Sequence, residues 1–270
     1  MILLSTSTCL FASYSDLSPE EATVKIDEVV ASKKATKEFL NYLNQSLKNP
    51  ETPIKIKESA AWALGELNAK QFSPTLLSAA QDKGLLVRSA AMDSLIKLRD
   101  SNALTLIMKS AKTDPILALR LKATLGLGLL KSDKGIQTIV DLSSDEREEI
   151  RAASVLSMGA LHSKKNDFSE ILKEMTQDKS EFVQERAKQT LALIKKTKQA
   201  AQNQLTSSDE DIRLFAALYL KSNGASKDIS YMKEALNGES NDSVRRELEQ
   251  AIQAIKKRNK PSKPAPKKKK

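Results

Sequence analysis

A short amphipathic pattern recurs seven times along the chain, at intervals of 31, 32, 31, 33, 29 and 32 residues. Each copy runs for twelve positions and begins with a branched or aliphatic residue, most clearly from Ile150 to Leu161. The first positions are Ile56, Val87, Leu119, Ile150, Val183, Ile212 and Val244. A near-constant period of this length is typical of a solenoid, in which each repeat is one small unit stacked on the next.

Positions one, five, eight, nine and twelve of each copy fall on one face of a helix with about 3.6 residues per turn. This face is apolar almost throughout, and positions five and eight are mostly small, so that a neighbouring helix can approach. A helix of this kind buries its apolar stripe only against a hairpin partner and the adjacent repeats. The sequence therefore predicts seven helical hairpins, with the first outer helix at 37–47 and the others near 71–80, 101–111, 134–143, 166–176, 198–206 and 228–236.

An additional helix is predicted ahead of the first hairpin. Ser18-Pro19-Glu20-Glu21 has the residues of a helix start, with Ser as the N-cap, Pro at the first position and acids in the first turn. We expect this helix to extend to about Ala31 and to cap the N-terminal end of the array.

The copy from Ile56 to Leu67 resembles the short HEAT repeats named after the phycobilisome lyases. Ala60, Leu64 and Gly65 match the residues of that repeat pattern. The resemblance covers residues 36–256. It implies an all-α fold, a right-handed α–α superhelix of about seven hairpins plus an N-terminal cap helix. The later copies depart from the pattern at Gln184, Tyr219, Asn223 and Leu248.

An acid recurs five residues before position one, as at Asp82, Asp114, Asp145, Asp178 and Glu239. A carboxylate placed there can accept backbone N–H groups at a helix start. Position two is basic in six copies, as at Arg151 and Arg213. Because acid and base share one register, we interpret them as a structural ladder along the array, with a basic ridge that reads phosphates as the alternative.

The resemblance also implies where a partner binds, since the inner helices of HEAT-like arrays line a concave surface. We expect positions three, seven and ten to point away from the core. In the third, fourth and sixth copies these positions are apolar, which predicts a groove for an apolar partner segment. The alternative is that tight curvature buries them between inner helices. The candidate partner-binding residues are Trp62, Leu121, Leu125, Leu156, Leu214 and Leu218; Trp62 has packing against the cap helix as its own alternative.

The net charge of +10 is concentrated at one end of the chain. Residues 256–270 carry nine positive charges and no acid, which leaves about +1 on the remainder. Three prolines and almost no apolar side chain predict a disordered, extended tail. Lys267, Lys268, Lys269 and Lys270 form its most basic part, for which we consider an electrostatic contact with an anionic surface or nucleic acid, or a solubilising role.

At the other end, residues 1–15 resemble the apolar half of a secretory signal peptide that lacks its basic start. We expect an exported, periplasmic protein, with a cytoplasmic one as the alternative. The domain boundaries predicted are therefore 1–15 for this segment, 16–256 for the solenoid and 257–270 for the basic tail.

Catalytic residue types are scarce. One cysteine, Cys9, rules out an internal disulfide and a cysteine-built metal site, and one histidine, His162, rules out paired-histidine chemistry. The di-iron branch of the resembling family needs His-Glu pairs, whereas Ser163 follows His162.

We therefore predict a non-enzymatic, monomeric scaffold for a protein or peptide, without cofactor or metal. The alternatives are a lyase-like or chaperone subunit of a chromophore-attaching enzyme, which the resemblance allows, and binding of nucleic acid or an anionic surface through the tail.

Overall fold

The computed structural model describes residues 14–163, 165–195 and 198–259. Over these residues the chain forms fifteen α-helices and no strand, which confirms the all-α prediction. None of the helices in this described part is long and apolar enough to cross a membrane. The helices are α1 (Pro19–Ser32), α2 (Lys37–Lys48), α3 (Ile54–Glu66), α4 (Ser73–Ala79), α5 (Leu85–Lys97), α6 (Leu104–Thr113), α7 (Leu117–Leu130), α8 (Ile136–Leu142), α9 (Glu148–Leu161), α10 (Ser169–Met175), α11 (Glu181–Ile194), α12 (Lys198–Leu205), α13 (Glu210–Asn223), α14 (Ile229–Gly238) and α15 (Asp242–Arg258).

The chain divides into two compact units, Met1–Leu106 and Ile107–Lys270, with the boundary inside α6. We call these unit 1 and unit 2. The odd-numbered helices from α3 to α15 carry the seven sequence copies, and we call them the inner helices. The even-numbered helices from α2 to α14 are the outer helices, and they lie where the pattern predicts them.

The seven first positions are all buried, as the repeat pattern requires. Their exposed fractions range from 0% at Ile150 and Val183 to 7% at Ile212. Burying one aliphatic side chain of this size stabilises a fold by about 1.5–3 kcal/mol. Burial of this row therefore contributes to the stability of both units.

The predicted cap helix, α1, begins at Ser18, which forms a capping box. The Glu21 N–H donates to the Ser18 hydroxyl at 3.3 Å, and the Ser18 N–H donates to the Glu21 carboxylate at 2.9 Å. This hydrogen bonding lowers the pKa of Glu21. The prediction for α1 is confirmed, and α1 packs directly on α3.

Glycine at position ten faces the next inner helix, and so the expectation that position ten points away from the core was wrong. A Cβ on Gly65 would lie 2.3 Å from the Ser94 hydroxyl, and one on Gly159 would lie 2.6 Å from Thr190. The close approach lets the Ser94 hydroxyl donate to the Ala61 carbonyl at 2.7 Å across α3 and α5. Small residues at positions eight and ten thus set the spacing of neighbouring inner helices.

The recurring acids cap the inner helices in the predicted way. Asp82 and Asp178 each accept the backbone N–H two residues later, at 2.7 and 2.8 Å, and that residue is the N-cap of the following inner helix. Glu239 does the same with the Asn241 N–H at 2.8 Å. In these three copies one carboxylate oxygen is therefore committed to the helix start.

The arginines at position two complete the ladder by pairing with the acid of the following repeat. Arg151 binds Asp178 through two hydrogen bonds of 2.8 Å, and Arg213 binds Glu239 through bonds of 2.6 and 3.0 Å. Arg120 pairs with Asp145 in the same manner. The guanidinium groups lower the pKa of Asp178 and of Glu239, and burial opposes this effect. The structural interpretation of the ladder is confirmed in unit 2.

In the fifth copy a different arginine forms the ion pair of the ladder. Position two is Gln184, whose amide donates to the Asp178 carbonyl at 2.7 Å and cannot form an ion pair. Arg186, two residues later, pairs instead with Asp209, the N-cap of α13, while Ser207 stands where the other copies have an acid. The two departures from the pattern therefore compensate each other.

Candidate functional site

The inner face of unit 2 is covered by the chain's own helix α13. Leu156 on α9 and Leu218 on α13 are 4% and 0% exposed and belong to one apolar cluster with Ala160, Ile212 and Phe215. The open groove expected from the sequence is therefore absent at Leu156 and Leu218. The alternative stated for them, burial between inner helices, is what the structure has.

A glycine on α7 makes room for α13. A Cβ on Gly128 would lie 2.8 Å from the Phe215 ring and 2.8 Å from the Ser157 backbone. At the end of α7, the Lys131 ammonium donates to the Leu218 carbonyl at 3.2 Å and to the Ser222 hydroxyl at 2.7 Å. The position that a partner helix would take in a groove is thus occupied by α13.

Tyr219 distinguishes α13 from the other inner helices. Position eight is small in the other copies, but in the sixth it is Tyr219, which is 3% exposed and donates to the Ile194 carbonyl of α11 at 3.2 Å. The buried Tyr219 side chain thus reaches from α13 to the end of α11. Among the inner helices, α13 packs on α9 as well as on the next one, α15.

Two of the predicted groove residues lie at the edge of this cluster, and a third, Leu121, is not part of it. Leu125 and Leu214 are half-buried and pack against it, and Leu121 is half-buried on α7. The structure brings Leu125, Leu156, Leu214 and Leu218 together, so that these four side chains pack in or against one internal cluster. A role in binding a separate partner stays a prediction for these residues.

Unit 1 presents a different inner face, on which Trp62 is 38% exposed. Trp62 lies at position seven of α3, the same repeat position as Leu156. Its prediction as a partner-binding residue is not tested by the fold. Its surroundings, however, contain features that the repeat pattern alone did not reveal.

Large exposed apolar side chains are concentrated in unit 1. Of the six such residues in the described chain, Phe182 alone belongs to unit 2. The other five stand on α1 or on the exposed sides of α3 and α5: Val24, Ile54, Trp62, Leu85 and Leu86. The methyl group of Ile54 lies 3.9 Å from the Cβ position of Gly84, so the N-terminal ends of α3 and α5 adjoin. We call these five residues the apolar set.

Helix α1 extends the inner face by half a repeat, which sequence reasoning missed. Its buried residues Ala22, Ile26 and Val30 have the spacing of positions one, five and nine. The Lys33 ammonium donates to the Glu66 carbonyl at 3.2 Å, which fixes the register of α1 on α3. The four-residue spacing of these apolar residues was the available signal.

The same register places acids on the inner face that carries Trp62. Counting from the buried residues, Glu28 takes position seven of α1, and Asp93 takes position seven of α5. Glu58, at position three of α3, lies one turn before Trp62. We call Glu28, Glu58 and Asp93 the acidic set. By this register the acidic set lies on the same inner face as Trp62, on three helices of unit 1.

Among the residues that the structure describes, no group of His, Cys, Asp and Glu is arranged to hold a metal ion. His162 caps the end of α9, with its Nδ1 3.7 Å from an oxygen of the exposed Asp167. That pair lies at a helix end, where a protonated imidazole faces the negative pole of the helix.

Two further predictions fall outside the described residues. They are the signal-like segment 1–15, except for its last two residues, and the basic residues Lys267, Lys268, Lys269 and Lys270. Both stay predictions.

Comparison with known proteins places the whole array in context. The profile of HEAT repeats matches residues 40–124, 113–192 and 169–253. No curated protein matches the sequence.

Among solved structures, the complex of CpcE and CpcF of phycocyanin lyase from Nostoc sp. PCC7120 is similar at 16% identity and a TM-score of 0.50, covering 88% of this chain and 95% of that one. The Escherichia coli protein YibA is similar at 15% identity and a TM-score of 0.49, covering 90% of each chain. Human deoxyhypusine hydroxylase, in complex with glycerol, has 13% identity and a TM-score of 0.38, covering 90% of this chain and 92% of that one. At 16% identity, the likeness to the lyase complex concerns the fold alone.

Proposed function

This chain belongs to the HEAT-repeat family, and on that premise we propose that it is a protein-binding scaffold whose contact surface is the inner face of unit 1. Solenoids of stacked helical repeats present extended surfaces that bind other proteins. The observation that carries the proposal is the apolar set. Exposed apolar side chains gathered on one face mark an interaction surface, whereas scattered ones do not.

The distribution of the apolar set supports unit 1 over unit 2. In unit 2 the corresponding face is filled by α13, so that Leu156 is 4% exposed where Trp62 is 38% exposed. Tryptophan is enriched among residues that dominate interface energies. Trp62 is therefore the proposed anchor, and Leu85 and Leu86 supply apolar contact area around the ends of α3 and α5.

The test compares capture of partners from the source cell by three forms of the full chain. These are the wild type, a variant with Trp62→Ser, Leu85→Ser and Leu86→Ser, and the control Phe182→Ser, which removes the exposed apolar side chain of unit 2. We expect the triple variant to bind the captured protein at least roughly tenfold more weakly, because interface anchors of this kind contribute more than 1.4 kcal/mol each. The control should bind as the wild type does.

The proposal fails if the triple variant, shown to be folded by its helical circular dichroism, retains full capture. A captured protein that is lost with Phe182→Ser instead would move the surface to unit 2. Export to the periplasm is a separate part of the proposal. N-terminal sequencing of the mature protein tests it.

A further inference from the structure

At the first ladder position of unit 1 the base and the acid do not meet. Lys57 stands at position two of the first copy, and Asp82 is the acid that precedes the second copy. The Lys57 ammonium donates to the Pro50 carbonyl at 3.2 Å. The Asp82 carboxylate accepts the Gly84 N–H at 2.7 Å and binds no cation among the described residues of unit 1. The corresponding residues of unit 2 form ion pairs.

The difference follows from the side chain at position two. In unit 2 the Arg213 Nη1 donates to the Ser207 and Ser208 carbonyls at 2.7 and 3.1 Å, while its Nε and Nη2 bind Glu239. A guanidinium has five N–H groups in a fixed plane and can hold a loop and an acid at once, whereas a lysine has a single ammonium. Lys57 therefore holds its loop only, and the acid of the next repeat is left without a guanidinium.

A cleft lies between the unpaired base and acid. Lys57 and Asp82 line a space of about 460 Å³, together with side chains of α2 and α4 such as Leu47 and Pro74. The corresponding cleft of unit 2 measures about 380 Å³, and its lining includes the paired arginine and glutamate. Both volumes fall in the range of roughly 300–1,000 Å³ that is usual for ligand clefts. The two clefts thus differ mainly in that one carboxylate is paired and the other is not.

Exposed apolar side chains adjoin the unpaired carboxylate. A Cβ on Gly84 would lie 3.2 Å from the Asp82 Oδ1 and 3.9 Å from the Ile54 Cγ2. Leu85 and Leu86 follow directly in the chain and are 42% and 53% exposed. A ligand that contacts both features carries a cation beside an apolar group. A peptide with an arginine next to aliphatic residues has this chemistry, and free arginine does not.

We propose that the cleft between Lys57 and Asp82 binds an arginine side chain of the partner. The partner's guanidinium takes the place that the chain's own arginines have in unit 2. There Asp178 accepts a backbone N–H of its helix start and two N–H groups of Arg151 at once, so the hydrogen bond at the helix start leaves room for the pair. The inference rests on the proposed function, because the apolar set supplies the rest of the contact surface.

Fluorescence anisotropy of labelled peptides tests the proposal on the full chain. The probe is acetyl-Leu-Arg-Leu amide with a fluorophore, and two comparison peptides have lysine or glutamate in place of the arginine. We expect the arginine peptide to bind roughly tenfold more tightly than the lysine peptide, because a guanidinium forms two parallel hydrogen bonds with a carboxylate. Equal binding of these two peptides overturns the proposal. Tighter binding of the glutamate peptide also overturns it, and would assign the cleft to Lys48 and Lys57.

Two variants remove the unpaired carboxylate in different ways. Asp82→Asn keeps the oxygen that accepts the Gly84 N–H but removes the charge, and it should weaken binding of the arginine peptide roughly tenfold. Lys57→Arg provides an internal guanidinium for the same carboxylate, as in unit 2, and should weaken binding to a similar degree. The control Glu20→Gln removes one charge from an exposed position on α1 and should bind as the wild type does.

Circular dichroism confirms that each variant is folded. Arginine-peptide binding that survives Asp82→Asn or Lys57→Arg, or that is lost equally with Glu20→Gln, overturns the proposal. Such a result leaves the capture experiment with Trp62→Ser, Leu85→Ser and Leu86→Ser standing. Conversely, full capture by that triple variant together with arginine-selective peptide binding would reject the proposed anchor and retain the arginine cleft.

Discussion

The inner faces of the two units are built from the same repeat, but one is exposed and the other is covered by a helix. Trp62 and Leu156 stand at position seven of their copies, yet Trp62 is 38% exposed and Leu156 is 4% exposed. The difference comes from α13, which packs on α9 and covers the inner face of unit 2, while its Tyr219 hydroxyl donates to the end of α11. Repeat position determines the direction of a side chain; whether another helix covers it depends on residues elsewhere.

The largest effect is expected when a charge is placed in the filled face. Leu156→Glu should lower the free energy of unfolding by about 4 kcal/mol or more, because a carboxylate would be buried in an apolar cluster without a partner. Leu86→Glu, the matched change on the inner face of unit 1, should cost less than about 0.5 kcal/mol, since Leu86 is 53% exposed. Urea unfolding followed by circular dichroism measures both. Equal losses would mean that the two faces do not differ.

The ladder should show the next largest effect. Arg151→Ala leaves Asp178 without its partner, and we expect a loss of about 3 kcal/mol, because the Arg151 side chain is 4% exposed and a broken buried pair is costly. Lys112→Ala breaks the exposed pair with Asp141 and should cost less than about 1 kcal/mol. Thermal or urea unfolding of the two variants gives the comparison. If Arg151→Ala lowered the free energy of unfolding by less than about 1 kcal/mol, the ladder pairs would contribute no more than exposed ion pairs do.

Acid should remove the contribution of the same pair. Because the pKa of Asp178 is lowered in the folded state, the pair stabilises the fold fully above the unfolded carboxyl value of about 3.9, and this contribution is lost as pH falls through the lowered value. The difference in unfolding free energy between wild type and Arg151→Ala should therefore be constant from about pH 7 to pH 5 and shrink below about pH 4. Urea titrations at each pH measure it. A difference that grows on acidification would contradict the assignment.

The smallest effect is expected for a hydrogen bond between inner helices that both units have in common. Ser94 in unit 1 and Ser157 in unit 2 occupy position eight, and each hydroxyl donates to a carbonyl of the preceding inner helix, at 2.7 and 2.9 Å. Ser94→Ala and Ser157→Ala should each cost about 1 kcal/mol, the net value of a buried hydrogen bond. Chemical denaturation of the two variants should give similar losses. Clearly unequal losses would show that inner-helix spacing is set differently in the two units.

Much of the fold could be predicted because the repeat is local. The buried row from Ile56 to Val244, the cap at Ser18 and the acids before each inner helix follow from helical periodicity and from hydrogen bonding over a few residues. The position of Gly65 against Ser94 was mispredicted, because a helical wheel does not show how far neighbouring helices are rotated about their axes. The substitutions at Gln184 and Tyr219 were recognised as departures, but the compensation through Arg186 and the packing of α13 on α9 involve groups far apart in sequence.

The candidate site depended more on tertiary structure. Leu125, Leu156 and Leu218 were identified as an unusual apolar group from the sequence, and they do form one cluster, but the occupant is a helix of the same chain. The exposed residues Val24 and Glu28 were not identified, because α1 lacks the repeat signature and acts as an inner helix only by packing on α3.

The sequence by itself determined the type, number and order of the helices and the buried side of each one. These properties depend on interactions within one turn of helix and on a period that the chain repeats seven times. Tertiary structure decided which inner face is covered and which is exposed. The packing of α13 on α9 joins residues far apart along the chain, and no local pattern encodes which distant apolar residues meet in this way.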